Sequence, residues 1–410
     1  MPHAYRFLLL FIMLLPLVAP AQQLPKVLFD AAHAQMAGNA DWVIDADVYD
    51  LRVGTGGAMV PGGSESNPQR FPTPDQSGIT ATTPETYWSG GISAWGVELV
   101  KRGFQVETLP NNGRLTYGDA TNDQDLRNYA VYVVNEPNIR FTAAEKTALL
   151  TFVRDGGGLF MVSDHVVSDR NNSGWDSPRI WNDLLTTAPG GNPFGFTFNL
   201  DNLVVKTANV PVLPTDSLLH GPAGDVRKME FYNGASLTLL PTANPTVRGV
   251  IYHPTADATG TQQALMAYAR YGRGKVVALG DSSPPDDGTG DPGDKLYNGW
   301  SAEADGDHAR VITNATIWLA ARPGTPLAAT AAAGLALRLF PNPTTGTVRL
   351  VSEARPTRVI WYTLLGEELA VPPAGLATDA YDLRLLPAGL YLVRVQLPDG
   401  RVLTRRVVRQ

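Results

Sequence analysis

The sequence predicts an α/β body, a three-layer, mostly parallel, flavodoxin-like sheet with a β-rich insertion, followed by a small C-terminal all-β sandwich. Three observations lead there. Short apolar runs alternate with segments of helical period between residues 26 and 322, the pattern of a parallel sheet covered by helices. Several of those runs are apolar throughout and turn polar at their C-terminal ends, as buried parallel strands do. The last seventy-odd residues instead break into short alternating strands bounded by Pro, Gly or Asn, which is how a small antiparallel sandwich reads.

The body elements follow in order. Residues 26–33 (KVLFDAAH) form the first strand, and residues 52–86, rich in Gly, Pro, Ser and Thr, a long loop. Trp88 to Arg102 is a helix that Gly103 is placed to end, and FQVETLP after it is a strand. LRNYAVYVVN (126–135) contains the next strand. Thr142 with Glu145 three residues on is a capping box, so a helix starts there. GLFMVSDH (158–165) is a strand, PRIWNDLL a helix, GKVVALGDSS a strand and HARVITNATIWLAAR a final helix. Residues 196–262 carry more strand and turn signals and read as a β-rich insertion or edge region. PGTPLAATAAAG (323–334) reads as a linker.

Composition limits the chemistry. Residues 1–21 join Arg6, the run FLLLFIMLLPLV and the small-x-small site Ala19-Pro20-Ala21, the marks of a secretory signal peptide with Gln22 as the mature start. The run is about a dozen residues, short of the roughly 20 that span a bilayer, and no later segment is long and apolar enough to cross one. The chain has no cysteine, which excludes disulfides, thiol nucleophiles and Cys metal sites. The tail, 335–410, holds ten Arg, no Lys and six acids. With +4 there and +1 in the leader, a whole-chain charge of −6 leaves −11 for residues 22–334. An acidic body of that kind is not a nucleic-acid binder.

Candidate site residues lie at strand C-termini, where open α/β sheets place their chemistry. The first strand offers Asp30 and His33, followed by Asn39, Asp41, Asp45 and Asp47. The GLFMVSDH strand offers Asp164 and His165, with His165 as base or ligand. Asp169, Asn171 and Ser173, on alternate residues before Gly174, match the first half of a calcium loop. Ile180 stands where the bidentate Glu would be, so Asp176 or a distant acid would complete that shell; the competing reading is an Asx-rich turn capping the PRIWNDLL helix. After the last body strand come Asp281, Asp286, Asp287, Asp291 and Asp294. Carboxylates so close repel unless solvated or bridged, and calcium or another divalent cation suits an all-oxygen set; a solvated loop is the competing reading.

The tail motifs PNP-x-x-G, a Gly-turn hairpin, L-P-A-G-x-Y-x-V-x-V and a basic last strand resemble the C-terminal sorting domain of the type IX secretion system. The resemblance covers the whole tail and implies export through the periplasm to the medium or outer-membrane surface, with the secretion machinery as partner. GGGLFMVSDH, YGRGKVVALGDSS and the final N-A-T-x-W-L helix resemble the class I glutamine-amidotransferase-like superfamily over residues 26–322, nearest its trehalose-utilisation-protein-like branches. Amidotransferases need a Cys nucleophile; this chain has none, so Cys-dependent glutaminase chemistry is excluded. Ser163 lies near the corresponding position without a G-x-S-x-G elbow. Two readings remain open. One is a metal-dependent hydrolase acting on carbohydrate, with His165 as base or ligand, Asp164, Asp30 and Asp281 around a metal-activated water, and His33 in the same pocket. The other is a calcium-stabilised glycan-binding module without catalysis. Under either, Trp42, Trp88, Trp95, Trp175 and Trp300 are candidates for sugar stacking, with core packing as the alternative.

Overall fold

A computed structural model describes residues 24–44, 51–64, 75–188, 191–301, 306–321, 337–352, 355–363, 368–374, 379–398 and 402–410. The leader expected at 1–21 and the linker at 323–334 lie outside these residues, as do Asp45 and Asp47. The strands of the main sheet are β1 (Lys26–Asp30), β2 (Gln105–Leu109), β3 (Val131–Asn135), β4 (Gly158–Val162), β5 (Phe196–Phe198), β6 (Leu237–Leu239), β7 (Arg248–Tyr252), β8 (Ala264–Tyr271) and β9 (Gly274–Leu279). The helices are α1 (Ser93–Lys101), α2 (Ala143–Arg154), α3 (Ser177–Thr186) and α4 (His308–Ala320).

The nine strands run in the order β2-β1-β3-β4-β9-β8-β6-β5, with β7 on β8. The pairings β1–β2, β1–β3, β3–β4 and β4–β9 are parallel, and the remaining ones antiparallel. The result is an α/β fold on a mixed sheet. Strand residues alternate between two cores, as the two-residue period of a pleated strand requires. Val27, Phe29, Val131, Val133, Phe160 and Val277 join Trp95 and Leu99 of α1 and Val311 and Ile312 of α4 in one core. Leu28, Tyr132, Val134, Leu159 and Val276 join Leu149 and Phe152 of α2 and Ile180 and Trp181 of α3 in the other. Trp95 is wholly buried with its ring 5.2 Å from Phe29 and 5.0 Å from Phe160, and truncating such a ring costs about 3–5 kcal/mol.

Helix ends show why the helices stand where they do. The capping box of α2 is formed: Glu145 N–H donates to Thr142 Oγ1 and Thr142 N–H to Glu145 Oε2. Gly103 ends α1 in the left-handed region at φ +83, where a Cβ would be strained. The helix begins at Ser93 rather than Trp88, because Gly90 at φ +117 and Gly91, pressed against the Asp41 carbonyl, form a non-helical entry. At the far end of α4, Lys275 Nζ donates to the Trp318 and Ala321 carbonyls at 2.5 Å each, filling acceptors the helix leaves unpaired.

The strand-rich stretch after residue 196 extends the sheet through β5, β6, β7 and β8, and adds the pair Leu203–Val205 with Phe231–Gly234. Among its described residues the tail has seven strands: β10 (Leu337–Phe340), β11 (Thr347–Ser352), β12 (Arg358–Tyr362), β13 (Glu368–Leu369), β14 (Ala380–Asp382), β15 (Gly389–Gln396) and β16 (Val402–Arg409). They make two antiparallel sheets, β10-β11-β14 and β13-β12-β15-β16. Both contribute to one core containing Val348, Leu350, Trp361, Val393, Val395 and Val407. In β15, Tyr391, Val393 and Val395 point inward while Arg394 and Gln396 are exposed.

Candidate functional site

Parallel pairing brings the C-terminal ends of β1, β3, β4 and β9 to one edge. From β1 the chain moves to β2 on one side, and from β3 it proceeds to β4 and β9 on the other. The crevice between β1 and β3 is therefore the switch point of the sheet. Glu136 stands there, one residue past β3, at φ +46, a conformation that costs a non-glycine residue of order 1–3 kcal/mol. It is held by Glu136 N–H donating to Val162 O (3.1 Å) and Asn138 Nδ2 donating to Glu136 O (3.0 Å).

Three segments converge on its carboxylate. From the loop after β1, Trp42 Nε1 donates to Oε2 at 2.5 Å. From the loop after β9, Ser282 Oγ donates to the same oxygen at 2.8 Å. From the loop after β4, Ser168 Oγ and Arg170 Nε reach Oε1 at 2.5 and 2.6 Å. Ser168 Oγ and Arg170 Nη2 also reach Asp164 Oδ2, each at 2.8 Å, and Arg170 Nη1 donates to Asn39 Oδ1 at 2.5 Å. The Glu136 side chain is 0% exposed, Asp164 3% and Arg170 15%. Val167, next to Ser168, is 73% exposed, so the cluster lies one residue beneath the surface.

The surroundings push the two carboxyls in opposite directions. Ser168 has one hydroxyl proton and lies within hydrogen-bond reach of both acids, so one acid must donate to it. Burial would raise the Glu136 carboxyl, but the Arg170 guanidinium and the Ser168 and Ser282 hydroxyls outweigh it and hold it below the usual range. Burial, followed by the Glu136 charge, drives Asp164 well above its ordinary value despite Arg170. Where the pair shares one proton, these shifts favour Asp164 as the acid that donates to Ser168 and Glu136 as the carboxylate that accepts from it. An acid and a base held apart in this way on neighbouring side chains are the equipment of proton-transfer catalysis.

The sequence candidates fall into separate groups. Asp30 and His33 pair with each other at the end of β1: His33 Nδ1 donates to Asp30 Oδ2 at 2.6 Å, where Gln35 Nε2 also donates at 2.8 Å. Burial works against the His33 charge, yet Asp30 and Glu145 push it up to about 10, so this imidazole is a buried cation rather than a base. Asp164 enters the Glu136 cluster. His165 does not: its backbone N–H donates to Asp164 Oδ1 at 2.7 Å, while its ring Nδ1 lies 2.6 Å from the Val166 carbonyl.

The calcium-loop candidates take the capping geometry. Asp169 accepts from the N–H of Ser173 (2.8 Å) and Gly174 (2.6 Å), and Ser173 Oγ turns to Asp169 at 3.2 Å. Asn171 Nδ2 donates to the Gly57 carbonyl at 2.8 Å. Asp176 is the N-cap of α3, accepting from Arg179 N–H (3.1 Å) and from Val167 N–H (2.8 Å). The third acidic loop is folded in rather than solvated. Asp281 accepts from the N–H of Tyr232 (2.6 Å) and Ser283 (2.8 Å). Asp286 accepts from Tyr297 N–H at 2.6 Å, and Asp287 from Ala94 N–H in the first turn of α1 at 2.7 Å. Burial raises Asp281 and Asp286 to about 7. Among the described residues no three His, Asp or Glu side chains converge as a set that could hold a metal ion.

The tryptophans correct the stacking expectation. Trp42, Trp88, Trp95 and Trp300 are core residues, and half-buried Trp175 is covered by Arg140, whose guanidinium carbon is 3.9 Å from the ring centre. Two open clefts lie away from the Glu136 cluster. One, of about 490 Å3, is lined in the tail by Leu350, Arg355, Arg358 and Tyr381; the other, of about 460 Å3, is lined by Tyr117, Tyr129, Gly156 and Arg273.

No protein-family model and no curated protein matches the chain, so both family resemblances stand on their residues alone. Among solved structures, it is similar to the N-terminal domain of mmIFT52, at 14% identity and a TM-score of 0.40 over 73% of this chain and 100% of that one. It is similar to the cytoplasmic protein STM3548 from Salmonella typhimurium, at 12% identity and 0.40 over 73% and 100%. A β-galactosidase from Rahnella sp. R3 matches at 12% identity and 0.32 over 77% and 36%. Likenesses at this level set neither the fold family nor the activity.

Proposed function

We propose that the protein is an exported hydrolase acting on carbohydrate, with Glu136 as general base and Asp164 as general acid. One observation supports this above the others: a single hydroxyl, Ser168, joins two carboxyls whose surroundings push them in opposite directions, at the switch point of the sheet. The guanidinium of Arg170 keeps the two acids unequal by favouring the charge on Glu136. Carbohydrate is the class of choice because a body at −11 repels acidic polymers. The burial of four of the five tryptophans removes the stacking platforms from the hydrolase and the glycan-binding readings alike, so the acid–base cluster is what favours the first.

The strand order β2-β1-β3-β4-β9, with a core on each face, is what a flavodoxin-like three-layer arrangement has, and we read the body that way. Export through the type IX machinery by way of the tail belongs to the same proposal. Its test is deletion of residues 335–410: the truncated protein should stay in the periplasm, and its appearance at the cell surface would refute that part. For the activity, purified protein is screened against neutral glycans and their esters. Turnover that falls on the order of 100-fold or more in Asp164→Asn is expected; turnover indifferent to Asp164→Asn and Glu136→Gln would refute the acid–base assignment.

A further inference from the structure

We propose that Ser168 is a nucleophile and that the bond broken is an acyl ester, which makes acylated carbohydrates the substrate class; the inference rests on the acid–base reading of Glu136 and Asp164. Distances decide between ester and glycoside. Glu136 Oε1 and Asp164 Oδ2 lie 2.5 and 2.8 Å from Ser168 Oγ, so they are at most about 5.3 Å apart. Inverting glycoside hydrolysis needs its carboxyls about 6.5–9.5 Å apart to admit a water, and retaining hydrolysis about 5–5.5 Å with the sugar carbon between them. Here a serine hydroxyl fills the space between the two acids. A hydroxyl held by a base on one side and an acid on the other is arranged for attack on an acyl carbon.

The backbone adds a second argument. Val167, immediately before Ser168, is β-branched, lies at φ +63 and is 73% exposed. That conformation is a rare outlier for such a residue. Asp176 Oδ2 holds it by accepting the Val167 N–H at 2.8 Å. Strained turns that persist under such outside restraint cluster at reacting positions. Arg170 contacts the same two carboxyl oxygens as the hydroxyl, so a positive charge stands beside the place where an oxyanion would develop.

The steps balance. Ser168 Oγ bonds to the acyl carbon as its proton passes to Glu136. The bond from that carbon to the sugar oxygen then breaks, and the leaving alkoxide takes the Asp164 proton. In the second half, water attacks the acyl carbon and gives a proton to the Asp164 carboxylate, while Ser168 Oγ leaves with the proton stored on Glu136.

The experiment treats the whole chain with a fluorophosphonate probe and with p-nitrophenyl acetate between pH 5 and 8, and locates the label by peptide mass. Label on Ser168, with ester turnover reduced on the order of 10³-fold or more in Ser168→Ala, is expected. An unlabelled protein, a label on another serine, or an unchanged rate in Ser168→Ala would overturn it. Ser168→Cys gives a readout free of turnover, because the natural chain has no cysteine: alkylation of the folded variant by iodoacetamide is expected, and a thiol that reacts only after unfolding refutes the assignment. If Ser168 stays unlabelled while Asp164→Asn still abolishes hydrolysis of a glycosidic bond, the ester inference falls and the acid–base reading stands.

Discussion

Replacing Asp164 and Glu136 by their amides should have very different consequences, although both are buried carboxyls sharing one arginine. Asp164 is pushed well above the ordinary carboxylate range while Glu136 is held below it, so Asp164→Asn removes less charge than Glu136→Gln. The new amide can accept from His165 N–H, as Oδ1 does at 2.7 Å, and can donate to Ser168. It loses the 2.8 Å bond from Arg170 Nη2, worth about 1–2 kcal/mol. Glu136→Gln removes a charge that faces Arg170, and its NH2 must confront two donors in either orientation: Trp42 and Ser282, or Ser168 and Arg170. Breaking a buried pair in this way costs about 3–5 kcal/mol. At about 2 °C per kcal/mol for a body of this size, thermal melts at pH 7 should fall by about 2–4 °C for the Asp164 variant and about 6–10 °C for the Glu136 variant. Acid should narrow the difference, because a carboxyl lowered by folding contributes stability above its unfolded value and loses it as pH falls through the folded one. Equal losses at pH 7, or a larger loss for Asp164→Asn, would refute the opposite shifts of the two carboxyls.

His33 supplies an alkaline counterpart. Raised from 6.5 to about 10, it contributes stability that is complete below pH 6.5 and declines by up to ~1.4 kcal/mol per unit as pH climbs to about 10. Urea unfolding of His33→Gln should show a flatter profile than the natural chain between pH 7 and 10, and parallel profiles would exclude the Asp30–His33 ion pair. Addition of EDTA should leave the melting temperature of the body unchanged, because Asp169, Asp176, Asp286 and Asp287 already accept backbone N–H groups; a fall of several degrees would restore a calcium role for those loops.

Much of the scaffold is written in local sequence. Thr142 with Glu145 marks the start of α2, Gly103 the end of α1, and the apolar runs at 26–30 and 158–162 are buried parallel strands. Strand-end reasoning reached Asp30, Asp164 and Asp281. The same rule applied to LRNYAVYVVN would have reached Glu136, the next residue, whose only local signal is an acid after a strand. Ser168, Arg170 and Ser282 carry no such signal, since their partners lie 32, 34 and 146 residues away. The half-pattern of a calcium loop and a helix cap use the same oxygens at the same spacing. Here neighbouring N–H groups supply the donors, and sequence spacing alone does not distinguish them. Strand Ala264–Tyr271 was hidden for a related reason: its inward and outward residues both face protein, so no alternation announces it.

The wide separation of the groups around Glu136 also sets when the site comes into being. Trp42 is 94 residues from Glu136 and Ser282 is 146 residues from it, so no short stretch of the chain contains the set. Contacts of such long range form late, after the intervening strands have been ordered. A chain that is still extended thus holds no assembled Glu136 cluster. The cluster exists only once the whole sheet has closed, which makes folding itself the event that assembles it.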